Sequence, residues 1–159
     1  MILAKVAEQV ERADRLIALV PPDLLEWRPA PDAFRLCDLL GHLLECLAGF
    51  CATLYVIDKD RLAHFTQLRE LEVNHCCGIS EARSRMRDYM NCIEEGFAVM
   101  TDGDLALNVP TLFSAEGESV MTLLMGNLEH FINHKYQLFF YLKLMGVAVA
   151  TPDLYRLRG

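Results

Sequence analysis

The chain has 159 residues, a formal net charge of −7 and a hydrophobic fraction of 53%. Its acidic balance, with a pI near 5.2, argues against a nucleic-acid surface, which needs clustered Lys and Arg to neutralise phosphates. The length suits one domain, residues 1–159, with a core that needs no staples.

Mean hydropathy is +0.20, so a membrane must be considered. A spanning helix needs about 20 nearly uncharged residues. The two most apolar stretches are expected to fail that test: residues 36–57 carry Asp38, His42 and Glu45, and residues 138–150 are short and contain Lys143. Glu8 and Glu11 interrupt the first apolar pattern, and no small-residue cleavage site follows it, so a cytoplasmic protein is expected. The six cysteines form no C-x-x-C. They are expected to be reduced thiols, four of them inside apolar helical segments as small hydrophobes.

The first helix is predicted over residues 2–20, with a seam of Leu3, Val6, Val10, Ala13, Ile17 and Val20. Pro21 and Pro22 end it. Residues 23–35 read as an ordered connector in which Leu24, Leu25, Trp27 and Phe34 cap one end of the core. A second helix is predicted over residues 36–57, with Leu36, Leu39, Leu40, Leu43, Leu47, Phe50 and Leu54 as its stripe, and Asp38 near its start suits the helix dipole. Residues 58–78 are weakly patterned and read as a loop with one helical turn. Ser80 is the expected N-cap of a third helix running to Met100; its Arg83, Arg85 and Arg87 read as a solvated face. Thr101 to Asp104 stop it. Residues 107–113 and 114–118 are β-like and read as a hairpin-like crossover. Ser119 is expected to cap the last long helix, which ends at Met145 with Gly146 at the C′ position, and Pro152 onward reads as a tail. The fold class is therefore all-α, a four-helix bundle with long connectors.

The last helix carries a second row beside its apolar stripe: Asn127, His130, His134, Gln137 and Tyr141. Steps of three and four put all five on one side of the helix. Burying such groups without partners costs on the order of 1–3 kcal/mol each, and a cation held by two imidazoles one turn apart would satisfy them, with amide and phenol as supporting partners. An H-x-x-x-H alone is a weak signal. His42 strengthens it, because it stands alone in the apolar middle of another helix, with Glu45 and Cys46 on its own side. Three imidazoles around Zn²⁺, Ni²⁺ or Fe²⁺ leave a coordination position open, the arrangement of a reactive site. Glu45 and Glu129 are candidates to orient an imidazole or act as a base. Cys46 reads as a packed thiol. His75-Cys76-Cys77 is a weaker metal candidate, because adjacent side chains point apart, and His64 is assigned to the surface.

These residues also resemble a known family, the DinB/YfiT-like putative metalloenzymes with a four-helix-bundle fold. The resemblance rests on Leu39-Leu40-Gly41-His42-Leu43 after Trp27-Arg28-Pro29, and on His130-x-x-x-His134-x-x-Gln137-Leu138 followed by Tyr141-Leu142 and Gly146. It covers nearly the whole chain. It implies that His42, His130 and His134 are metal ligands and that Gln137 supports them. One departure is Arg35, where the family often has Ser or Thr as a helix cap. The family shares its name with a damage-response DNA polymerase, to which this chain has no similarity.

The resemblance implies a metal-dependent enzyme of the kind that transfers low-molecular-weight thiols such as bacillithiol. The alternatives are a non-catalytic, stress-associated metal-binding dimer and a metal-dependent hydrolase. A homodimer is expected from surplus apolar surface at Leu44, Ala48, Cys51, Tyr55, Phe139 and Phe140.

Overall fold

The structure, a computed structural model, describes residues 1–111 and 115–156. Four long helices dominate it: α1 (Ile2–Ala18), α2 (Leu36–Tyr55), α3 (Ile79–Val99) and α4 (Val120–Leu144). α2 packs on α3 and α4, and α1 packs on the same two, so α1 and α2 lie diagonally opposite each other. This is the expected all-α architecture.

The apolar seams explain the arrangement. In α1, Val6, Val10, Ala13, Leu16 and Ile17 are buried, and Leu3 packs against them half-buried. Every residue of the predicted α2 stripe is wholly buried. A connector segment between α2 and α3 also covers α2, so that helix is apolar on most of its circumference. By length and composition α2 could cross a membrane, contrary to the expectation that Asp38, His42 and Glu45 exclude it; 67% of its most apolar stretch is buried inside the protein. A core helix satisfies the same criteria as a spanning one.

Several boundaries differ from the sequence reading. α3 starts at Ile79, with Gly78 rather than Ser80 at the N-cap, because the Ala82 amide already closes the first turn onto the Gly78 carbonyl at 2.9 Å. Arg83 is not simply solvated, since its guanidinium forks onto Asp14 of α1 at 2.8 and 2.9 Å. The loop before α3 contains a 3-10 helix over Ala63–Glu70 in place of a single turn. The crossover is a minimal antiparallel pair, β1 (Asn108–Val109) with β2 (Glu118–Ser119), Asn108 opposite Ser119; residues 112–114 of the expected β-like pieces lie outside the described residues. Ser119 does cap α4, its Oγ accepting from the Thr122 amide at 3.1 Å. At the other end, Gly146 adopts φ +79° and the Val147 amide returns to the Leu142 carbonyl at 2.9 Å. This left-handed stop is what a glycine at C′ allows.

Two corrections carry more weight. The expected tail instead forms a short helix, α5 (Thr151–Leu154), whose Leu154 is buried against α1. Its Leu154 carbonyl and the Gln9 Oε1 accept hydrogen bonds from the buried Lys135 Nζ at 3.0 and 2.6 Å. The second correction concerns the cysteines: Cys37 and Cys76 form a disulfide between the start of α2 and the loop before α3, with Cα atoms 4.5 Å apart. A pairing across 39 residues leaves no spacing signature in a sequence. Cys46, Cys51, Cys77 and Cys92 are free thiols.

Burial lowers the Lys135 pKa to about 8 from an ordinary 10.5. Below the lower value the amine is charged in both folded and unfolded chains, and its burial cost is fully present. Between the two values the folded chain releases the proton first, so stability rises with pH. Urea unfolding of the wild type and Lys135→Met should therefore show a free-energy difference that shifts in favour of the wild type as pH climbs from about 8 towards 10.5. A difference that is flat across that range would contradict the assignment.

Candidate metal centre

The helical spacing of His130 and His134 puts both rings on the side of α4 that meets α2, where His42 projects from the opposite wall. His42 Nε2 is 3.2 Å from His130 Nε2 and 3.0 Å from His134 Nε2. The three rings are steeply inclined to one another, with His130 and His134 centroids 4.8 Å apart. The site lies at the mouth of the bundle: His42 and His134 are half-buried and His130 is exposed.

The outward nitrogens have hydrogen-bond partners of their own. His42 Nδ1 faces Asn74 Oδ1 at 2.6 Å and Glu45 Oε2 at 2.9 Å. Both are acceptors, so this nitrogen carries its proton. His134 Nδ1 faces Gln137 Oε1 at 2.9 Å, and Gln137 Nε2 lies 3.0 Å from the Tyr141 hydroxyl, which holds the amide against the ring. Trp27 meets the Tyr141 ring edge-on at 5.5 Å. With the proton on Nδ1 of both neutral rings, His42 and His134 direct two lone pairs at each other across 3.0 Å.

Facing lone pairs repel unless a positive charge lies between them. Protonating His134 is disfavoured, because burial above all, and the neighbouring His42 and His130, hold its pKa below the ordinary imidazole value. A divalent cation would satisfy all three rings at once. Two nitrogens at ~2.0–2.1 Å from a tetrahedral ion are about 3.3 Å apart, close to the spacings found. The residues fit such an ion.

The surroundings keep this geometry. Phe34, expected to cap one end of the core, is 39% exposed and stacks on His42 with centroids 5.1 Å apart. Arg35 provides no side-chain cap for α2; its guanidinium forks onto Asp38 at 2.7 and 2.8 Å and reaches Glu26 at 2.7 Å. That hydrogen bonding lowers the Asp38 pKa and keeps a negative charge in the first turn of α2. The loop bearing Asn74 is laid directly on the helix bearing His42. The Asn74 amide reaches the Gly41 carbonyl at 3.3 Å, and the Cys77 amide reaches the Cys37 carbonyl at 3.0 Å. Any Cβ at position 41 would collide with the His75 backbone, so only glycine admits this approach. The Cys37–Cys76 disulfide clamps the same contact.

Asn74 and Phe34 were not foreseen. Asn74 has φ +57°, and an asparagine in a turn tolerates that region, but nothing in the sequence connects it to His42. Conversely, Asn127 shares the row with the histidines without joining them: its amide donates to Thr53 Oγ1 of α2 at 3.1 Å. The sulfur of Cys46 lies within 4.8 Å of ligand atoms of His42 and His130. It is buried, and desolvation pushes its pKa to about 12, as befits a packed thiol. Glu129 is exposed, and His64 lies at the surface beside Glu95 at 2.9 Å. Cys76 and Cys77 point apart as expected, Cys76 to Cys37 and Cys77 towards His75 and Glu81.

The crystal structure of a DinB-like protein, YjoA, from Bacillus subtilis superposes with a TM-score of 0.75, covering 98% of this chain and 99% of that one at 18% sequence identity. The chain has a DinB-like fold. No family model and no curated protein matches the sequence, so the DinB-like assignment rests on the fold and on the motif residues described above.

Proposed function

We propose that this DinB-like protein binds one divalent metal ion, zinc, nickel or iron, through His42, His130 and His134, and uses it as an enzyme of the low-molecular-weight-thiol S-transferase class. The observation that carries the metal is the approach of His42 Nε2 to His134 Nε2 at 3.0 Å and to His130 Nε2 at 3.2 Å, with Asn74, Glu45 and Gln137 behind the rings. Bound among neutral ligands, an ion of this kind acidifies a thiol or water enough to ionise it near neutral pH. The remaining work falls to the chain. Asn74 and Glu45 hold the His42 ring, Gln137 holds His134, and Phe34 covers one side of the site. Glu45, with 41% of its side chain exposed, is placed to take up the proton that a thiol releases. The exposed His130 leaves the mouth open to a small cosubstrate. The choice of thiol transfer over hydrolysis is supported by the sequence resemblance. The proposed compartment is the cytoplasm.

Metal analysis of protein prepared without chelator or nickel resin should give one ion per chain. His134→Ala should abolish uptake and His64→Ala should not. Uptake should weaken as pH falls through the ordinary imidazole range, because only neutral rings bind. Loaded protein should accelerate attack of a thiol on an electrophilic carbon. Turnover with water and no thiol would identify a hydrolase, and no acceleration across a broad panel would leave a metal-binding protein.

We also propose a homodimer, on different residues from those first expected. Leu44, Cys51 and Phe139 are buried within the chain. The exposed apolar residues lie on the outer face of α4: Met121 at 39%, Met125 at 47%, Tyr136 at 40%, Phe140 at 48% and Leu144 at 64%. A stripe of that length suits self-association. Light scattering should give twice the chain mass at micromolar concentration, and Phe140→Glu should halve it; a monomer mass for the wild type would refute the dimer.

A further inference from the structure

The face of α2 that carries His42 continues beyond the metal centre. Residues 42, 45, 48, 52 and 55 follow at helical steps of three and four, and past Glu45 the lining is small: Ala48 and Ala52 with Gly49 beside them, closed by Tyr55. The segment between α2 and α3 covers this face, its Phe65 packed into the core, without filling the space along it. A cavity of about 310 Å³ remains between them, walled on the loop side by Phe65, Leu68, Leu71 and Val73. That volume falls at the small end of ligand-binding pockets.

Both walls of the cleft end at the metal centre. Glu45 lines the cleft and also meets His42 Nδ1 at 2.9 Å. Val73 lines it from the loop, and the next residue, Asn74, meets the same nitrogen at 2.6 Å. Towards the other end the chemistry is cationic. Arg69 lies over the Tyr55 ring at 5.6 Å, and among the described residues no carboxylate pairs with it. From Glu45 to Tyr55, ten helical residues span about 15 Å.

We propose that this cleft binds an elongated organic anion: an apolar body along Ala48, Ala52 and Tyr55, a terminal carboxylate at Arg69, and the opposite end at Glu45 beside the histidines. A guanidinium without a partner recognises a carboxylate through two parallel charge-assisted hydrogen bonds. The apolar lining selects the body of such a molecule and is unsuited to a small polar thiol, so thiol and acceptor have separate places. That the occupant is the acceptor in thiol transfer rests on the metal-dependent reading; that the cleft binds it does not.

Calorimetric titration of the full chain with octanoate, octanamide and octylamine tests the proposal. Octanoate should bind one per chain, at least about tenfold tighter than the neutral amide or the amine. Arg69→Gln should erase that preference, and Ala52→Trp should weaken octanoate by about tenfold or more by filling the cleft. Both substitutions fall on exposed residues, and circular dichroism would confirm that the variants fold. Chelator-treated protein should bind octanoate as well as untreated protein does. No octanoate binding up to millimolar concentration, or binding indifferent to both substitutions, would overturn the proposal while leaving metal uptake by the histidines intact. Octanoate binding in a chain that takes up no metal would remove the metal reading and leave the cleft.

Discussion

The acceptors behind His42 and His134 determine what the front of each ring can do. Once Asn74, Glu45 and Gln137 each offer an oxygen to an outward nitrogen, the two inward nitrogens of those rings are left as bases that face each other. Half-buried bases at that spacing are not self-sufficient. The outer partners thus favour a cation between the rings as well as orienting them, which is how supporting residues tune a metal centre.

Much of the surrounding structure serves that arrangement. The Asn74 loop reaches His42 only because position 41 has no side chain, and a disulfide one turn earlier on the same helix fastens it there. Arg35, Asp38 and Glu26 brace the start of α2, where a serine or threonine cap would otherwise act. On the far side, Lys135 follows His134 by one residue and is buried with hydrogen bonds to Gln9 of α1 and the carbonyl of Leu154 in α5. That network ties α4, and with it two of the three histidines, to the opposite face of the bundle. The cleft along α2 opens from the same centre, so the His42 ring and the cleft floor share one helix.

The sequence made the helices legible because their seams repeat at three and four residues and their cores are aliphatic: the α2 stripe is buried to the last residue. The three histidines were legible for the same reason, since helical phase alone places His130 beside His134. What the sequence could not show depends on contacts between distant segments. Asn74 meets His42 across 32 residues and Cys76 meets Cys37 across 39, and no local pattern encodes either. Phase also misleads where it is followed alone. Asn127 lies in register with the histidines but is one turn too early and serves the packing of α4 on α2. Ala48, assigned from the sequence to an apolar outer surface, is instead part of the floor of a cleft.

The central claim is that one ion is held by three imidazoles and by no sulfur, although Cys46 is close enough to compete. X-ray absorption at the metal edge of the loaded protein reads the ligand atoms directly. A first shell of three imidazole nitrogens completed by light oxygen or nitrogen atoms is the predicted result. A sulfur scatterer at ~2.3 Å, or fewer than three imidazoles, would contradict it.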